Sequence, residues 1–529
     1  MTINDLLSSY AASQQAVGLV KSLEKKSIKT MFLEGLIASS APLLFASIFK
    51  KCRQPFLFIL QDAEEAGYFY HDLTQLLGNG QVLYFPSSYR RAFKYGHRDA
   101  ANEILRTEVL ARLAALKASE GMPLFVVTSP EGLCERVVGK RQMDDSRLSL
   151  HVGQQTGLMD VETRLRELGF SEVDYVYEPG QFAVRGSIVD VYSFSSEYPF
   201  RIDFFGDEID TIRTFGVEDQ LSKERKERIE IVPELAVMVS ERVPFMRFLP
   251  KETVVVLKDF VYVHDTIEQI YQDGISSQVL TERMDELPEM ERKELMEAMR
   301  RENSLLSGMQ FSEEMVSFRR IEFGHQPTGV PQATLRFDIV AQPLFHKNME
   351  LLRQTLNEEL LEKGYTICLL TDQAKQAQRL RDILGDDLPF QPLEKTLHEG
   401  FIDRTLRLCL FTDHQIFDRY HKYSLRSDAA RSGKMALTMK ELQEIELGDF
   451  LVHVDYGVGK FGGLVRIPIP ASAGSGKEGG YQEVIRLVFQ RGDIADAPSI
   501  HYIKYRNTAA VIQANRPDSP RSEQGHGSG

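Results

Sequence analysis

The sequence predicts a multidomain protein of mixed α/β and α+β architecture. It would hold a parallel-sheet domain, an α+β module, a second small α/β domain and a C-terminal β-barrel. Three observations carry this expectation. Short apolar runs alternate with helix-patterned segments over residues 1–128, the grammar of a parallel sheet with crossover helices. After about residue 130 alternating strands with glycine-bearing turns take over, which reads as hairpins. The α/β grammar returns over 341–425, and glycine-punctuated strands near 440–506 suggest a small barrel.

Taken in order, FLFIL (56–60), QVLYFP (81–86) and PLFVVTS (123–129) read as short buried strands. DAEEAGYFYHDLTQLLG (62–78) and AANEILRTEVLARLAALKAS (100–119) between them carry helical periodicity. DVETRLRELGF (160–170) is a further helix. Pro179-Gly180 and Gly206-Asp207 break the alternating stretch that follows and are taken as its hairpin turns. Residues 281–303 are rich in Glu, Arg and Met, and such a charge run is ordinarily a solvated helix face. The last α/β stretch alternates NMELLRQTLNEELLEKG and DQAKQAQRLRDILG as helices with YTICLLT and LRLCLFTD as strands. RSDAARSGK (426–434) reads as linker, and the polar, Pro/Gly/Ser-rich tail from 507 to 529 is expected to be disordered.

A chain of 529 residues exceeds what one core serves, and the composition, 43% apolar and 26% charged, is that of a globular protein. No apolar run reaches the roughly 18 residues of a membrane span. The N-terminal MTINDLLSSYAASQQ lacks the layout of a signal peptide, and the four cysteines (52, 134, 368, 409) have no C-x-x-C spacing. A cytoplasmic protein without membrane contact is expected. The net charge of −13 and the absence of tryptophan turn the expectation from nucleic acid toward protein partners.

FLEGLIASSAPLLFASIFKK (32–51) has the outline of a phosphate-binding loop, G-x-x-x-x-G-K-[ST] between strand and helix. With the first glycine at Gly35, the required Gly, Lys and Ser/Thr are Ser40, Ala41 and Pro42. Pro42 removes an N–H donor, and no lysine precedes Lys50. The strand end where a magnesium-binding carboxylate belongs reads Thr128-Ser129-Pro130. Neither nucleotide binding nor hydrolysis is expected. AGSGKEGGY (473–481) mimics the end of such a loop, but Glu478 replaces the hydroxyl residue and no helix pattern follows, so it reads as a hairpin tip. His453 has no evident third ligand beside Asp455, and neither a metal site nor a catalytic residue is expected. Arg185 in FAVRGSIVDVY is either an exposed binding arginine or half of an ion pair; Phe182, Tyr175 and Tyr177 lie close in sequence.

Two of these stretches carry a resemblance. EPGQFAVRGSIVDVYSFSSEYPFRIDFFGDEIDTIRTF (178–215) resembles the module that the Mfd family of bacterial transcription-repair coupling factors shares with the excision-repair protein UvrB. LGDFLVHVDYGVGKFGGL (447–464) resembles that family's RNA-polymerase-interacting domain, also found in CarD-like regulators. Their order and spacing match the family over residues 1–506.

The resemblance implies a UvrB-like domain with a degenerate nucleotide site, contributed by 1–128 and 216–340 around a UvrA-binding module at 129–215. A small α/β domain (341–425), a linker (426–438) and an SH3/Tudor-like, CarD-like barrel (439–506) would follow. VLYFPSSYRRAFKYGHRDA (82–100) is too short to hold UvrB's damage-probing hairpin. Arg185 and Phe182 fall where the module contacts UvrA, and Leu464, Val465 and Ile467 fall near the contact with the polymerase β subunit, through strand pairing. ATP, magnesium and most DNA contact belong to a translocase motor that this sequence does not match, so the chain itself is expected to be a monomeric, cofactor-free adaptor in transcription-coupled excision repair. The final strand departs from the family: Pro498 is awkward in a strand, and the ending is unlike the family's. Two other readings remain at this point, a CarD-like transcription regulator and a UvrB-type damage-binding helicase subunit.

Overall fold

The computed structural model describes residues 2–78, 80–88, 100–115, 123–196, 198–217, 220–235, 242–275, 305–371, 374–385, 389–419, 421, 423, 450–453, 457–468, 481–488, 494–497 and 502–504. The charged stretch 281–303, the linker, the loop 473–480, Asp455 and the tail lie outside them. Two compact units divide the chain, Met1–Gly433 and Lys434–Gly529.

The first unit is organised by a seven-stranded, wholly parallel sheet. Its strands are Thr30–Glu34, Phe56–Ile59, Val82–Phe85, Phe125–Thr128, Val254–Leu257, Arg319–Gly324 and Ala333–Arg336. Both faces are covered, so the inner strands read as unbroken apolar runs rather than alternations. Phe56 and Phe58 enter one core, and Leu57 and Ile59 the other. Phe58 meets the rings of Phe45 and Phe125 edge-on, at centroid distances of 4.9 and 5.1 Å. The strand Val254–Leu257 pairs with Phe56–Ile59, so residues far apart in sequence complete one sheet around the intervening module.

Two N-terminal helices, Ile3–Ala11 and Gln14–Glu24, cover the first core together with Ser40–Ile48 and Ala63–Leu77. Thr2 and Asp5 form a capping box on the first of them, and Ser13 caps the second. Helix Ala63–Leu77 starts at Asp62, whose carboxylate accepts from Glu65 N–H, and it ends at Gly78 with φ +88°.

The intervening module has a six-stranded sheet in the order 222–225, 208–215, 200–205, 188–191, 181–185, 171–172. Helix Leu158–Glu167 buries Val161 and Leu165 against one face. Gly206-Asp207 is the tip of a hairpin, as expected. Pro179-Gly180 is not: strand Ser171–Glu172 runs parallel to Gln181–Arg185, and the reversal comes at Gly186-Ser187, where Gly186 has φ +61°. Proline and glycine together signal a turn without saying which of several nearby glycines makes it.

The small α/β domain carries a five-stranded sheet in the order 339–341, 401–403, 408–412, 366–370, 391–393. Its residues Leu370, Leu397, Phe401 and Leu410 belong to the first core of the parallel-sheet domain, so the two share an apolar interior. In the second unit a five-stranded antiparallel sheet takes the order 494–497, 481–488, 457–468, 450–453, 502–504. Among the described residues no helix is long and apolar enough to cross a membrane.

Candidate functional site

Two places bear on function. The first is the loop after strand Thr30–Glu34, at the C-terminal edge of the parallel sheet, where α/β folds collect ligands. Gly35 has φ +88°, and a Cβ there would stand 2.2 Å from the carbonyl oxygen of Phe337. Ser40 opens the helix Ser40–Ile48, and its hydroxyl donates to Ile37 O at 2.5 Å instead of facing the cleft. Ala41 and Pro42 are buried in the first turn. A cavity of about 650 Å³ adjoins the loop, lined by Glu34, Glu65, Asp72, Asp259, Glu399, Lys258, His325 and His398, among others. Lys258 is itself paired with Glu65. Acidic side chains outnumber basic ones in that lining, an arrangement unfavourable to a phosphate. At the neighbouring strand end the Thr128 hydroxyl donates to Phe85 O at 2.6 Å, so it is committed to the fold.

The second place is the face of the module's sheet away from helix Leu158–Glu167, where a small cluster of Val176, Ala183, Tyr192 and Phe215 is buried and the end bearing Arg185 stays partly exposed. Alternation along Gln181–Arg185 sends Phe182 and Val184 to the helix-covered core and Ala183 and Arg185 to the other side. Arg185 is paired with Asp190 on the next strand, and its guanidinium lies 4.9 Å from the centre of the Tyr175 ring. The ion pair read as one alternative from the sequence is present, and the side chain remains 35% exposed while making it. Asp190 is only 1% exposed and is also gripped by Arg201, whose Nε and Nη2 donate to its two oxygens at 2.7 and 2.8 Å. Those hydrogen bonds raise the pKa of Arg201, whose guanidinium also lies 4.4 Å from the centre of the Phe215 ring. One buried carboxylate thus fixes two arginines, with rotamer freedom already lost before any partner arrives.

Phe182 requires a correction. It is fully buried in the module's core, among Leu165, Val191 and Ile202, and cannot meet a partner's surface. The exposed aromatics on or beside the Arg185 face are Tyr175, Tyr177 and Phe205, the last 84% exposed. Phe204 enters the core, so Phe205 points the other way, toward the side of Arg185. The paired Phe204-Phe205 beside a Gly-Asp turn was a readable signal: on a strand with one buried face, only one of two adjacent aromatics can be inside.

Leu464, Val465 and Ile467 lie on strand Gly457–Pro468, past a register shift between Phe461 and Leu464 at Gly463, which has φ +101°. They pair with Ile485, Val484 and Gln482 on one side. Strand Phe450–His453 covers only Gly457–Lys460 on the other, so among the described residues no strand pairs with the second edge of 464–468. His453 ends its strand. Among the described residues no cluster of three His, Cys, Asp or Glu is arranged for a metal ion.

The model of the UvrB interaction domain matches residues 148–236, beginning and ending later than the 129–215 expected from the sequence. Over most of the chain, the transcription-repair-coupling factor of Bacillus subtilis (strain 168) is 22% identical over 513 residues, covering 84% of this chain and 42% of that protein. That of Myxococcus xanthus is 24% identical over 522 residues (82% and 42%), and that of Haemophilus influenzae 23% over 427 residues (69% and 36%). The chain spans about two-fifths of the length of the curated relatives it matches. It resembles the transcription-repair-coupling factors along most of its own length, and residues 148–236 match the UvrB interaction domain.

Proposed function

We propose that this chain is an adaptor of transcription-coupled nucleotide-excision repair, recruiting UvrA through the sheet face of residues 148–236 that bears Arg185. The observation that carries the reading is Arg185: it lies within the matched interaction domain, half-exposed, pinned by the buried Asp190 and flanked by Tyr175. Arginine and aromatic side chains with little rotamer freedom left are what a protein-binding hot spot requires. Phe205 extends the same face with apolar area.

The terminal sheet would grip RNA polymerase by adding a partner strand along the edge at 464–468 that no described strand pairs with, where Val465 is half-buried. A CarD-like, SH3/Tudor-like barrel is the form this proposal gives to that unit. The chain would use neither ATP nor magnesium, since Ser40, Ala41 and Pro42 replace the phosphate-binding residues and carboxylates line the adjoining cavity. ATP-driven translocation on DNA would belong to a motor outside the sequence given.

Calorimetry with purified UvrA tests the main claim. The chain is expected to bind, and Arg185→Ala to lose about 2 kcal/mol, some thirtyfold in affinity. Absence of binding by the unaltered chain sinks the adaptor reading.

A further inference from the structure

The loop at Gly35 has lost a nucleotide's requirements, yet its polar groups are not idle. Ser39 N–H donates to the carbonyl of Glu399 at 3.3 Å, and Glu399 N–H donates back to the Ser39 hydroxyl at 2.9 Å. The same hydroxyl donates to Asp72 Oδ2 at 2.5 Å, while His398 N–H donates to Asp72 Oδ1 at 2.7 Å. Ser39 and Asp72 are each 2% exposed. Around this catch, the His398 ring stacks on Tyr68 with centroids 3.5 Å apart, and Tyr68 donates its hydroxyl proton to His421 O at 2.8 Å. Gly67 is a glycine because the Tyr423 ring lies where a Cβ would be, 2.4 Å away.

We propose that residues 35–42 receive the chain's own His398–Glu399 segment in place of a nucleotide, so that a lapsed phosphate loop serves as the socket that seats the small α/β domain. The anion that such a loop once attracted is replaced by a peptide carbonyl, a ligand of the same hydrogen-bonding type but without charge. The segment is delivered by a different domain, and the strand–turn–helix geometry is retained because the socket needs it. This explains how the loop could keep its shape after losing Gly, Lys and Ser/Thr.

Titration gives the socket a signature. Burial pushes Asp72 up to about 7, with the nearby Glu399 carboxylate adding to the shift against the Ser39 and His398 hydrogen bonds. Burial pushes His398 down to about 4, helped by His421 and His414; His71 is the remaining imidazole beside Asp72 on its own helix. The raised Asp72 contributes stability that is lost as pH climbs from about 4 to 7. The lowered His398 contributes stability that is lost as pH falls from about 6.5 to 4. Between about pH 4 and 6.5 the folded chain holds the proton on Asp72 and the unfolded chain holds it on His398, so the two dependences cancel.

Two measurements test this on the full chain. In hydrogen exchange, the amides of Ser39, His398 and Glu399 are expected to be protected, and Ser39→Ala to speed the Glu399 amide at least tenfold. Unprotected amides in the unaltered chain, or an unchanged Glu399 rate in the variant, overturn the socket. In denaturant unfolding, the stability of Asp72→Asn relative to the unaltered chain should rise with pH between 4.5 and 6.5, and that of His398→Phe should fall. Each should approach a tenfold change in the unfolding constant per pH unit. Two flat differences overturn the buried catch even if the amides are protected.

Discussion

The loop at Gly35 and the sheet face at Arg185 sit in one compact unit and have opposite relations to their polar groups. At the loop, every hydrogen bond described is satisfied from within: Ser39 by Glu399 and Asp72, Ser40 by Ile37, Lys258 by Glu65. At the face, internal bonds fix the direction of Arg185 without covering it, and Phe205 is left in solvent. A site that has turned inward shows itself by what it has consumed, and an outward one by rigid groups left exposed. The distinction cannot be made from residue types alone, because both places hold carboxylates, a basic side chain paired with one of them, and aromatic rings.

The contrast predicts that changes near the loop act on stability and changes on the face act on binding. The sharpest challenge is Asp190, which belongs to the face but is buried under two arginines. Asp190→Ala strands both guanidiniums and should cost about 3–5 kcal/mol of stability as well as weakening UvrA binding, measured by denaturant unfolding and calorimetry. A loss of binding with unchanged unfolding would mean that the carboxylate is not the keystone of the face. Next comes Gly35→Ala, which forces a Cβ toward the Phe337 carbonyl at φ +88°. A loss of about 2–3 kcal/mol is expected from the left-handed backbone and the close approach together, with UvrA affinity unchanged once the protein is folded. Affinity falling in step with stability would couple the two places and break the comparison.

Much of the architecture was legible because the parallel sheet is buried on both sides. FLFIL, VLYF and FVVT are strands that no surface element would tolerate, and they appear at Phe56–Ile59, Val82–Phe85 and Phe125–Thr128. The helices of residues 3–24 went unread although Thr2, Asp5 and Ser13 cap them and Ile3, Leu6, Leu7 and Tyr10 recur at helical spacing. The reversal at Gly186 was assigned to Pro179-Gly180 because turn chemistry is local and strand pairing is not. At the site, Phe182 is misplaced because the sequence marks an alternating strand but not which of its faces a helix will cover. The socket was beyond reach, because Ser39 and Glu399 are joined by a contact spanning 360 residues.

Phe205 offers the smallest effect on the fold and the cleanest separation. Its ring is 84% exposed and belongs to none of the buried cores, so Phe205→Ala should change unfolding stability by no more than about 0.5 kcal/mol. If the face binds UvrA as a unit, the same change should weaken binding about tenfold, since an aromatic anchor beside a fixed arginine supplies apolar area that alanine cannot. The double variant with Arg185→Ala then decides how the face works. Additive losses would mean that arginine and phenylalanine touch separate parts of the partner, while a double loss no larger than that of Arg185→Ala alone would mean that they close around one feature of it. A Phe205→Ala variant that binds as tightly as the unaltered chain would confine the contact to the Tyr175–Arg185 end of the sheet and leave the exposed ring without a role in the adaptor.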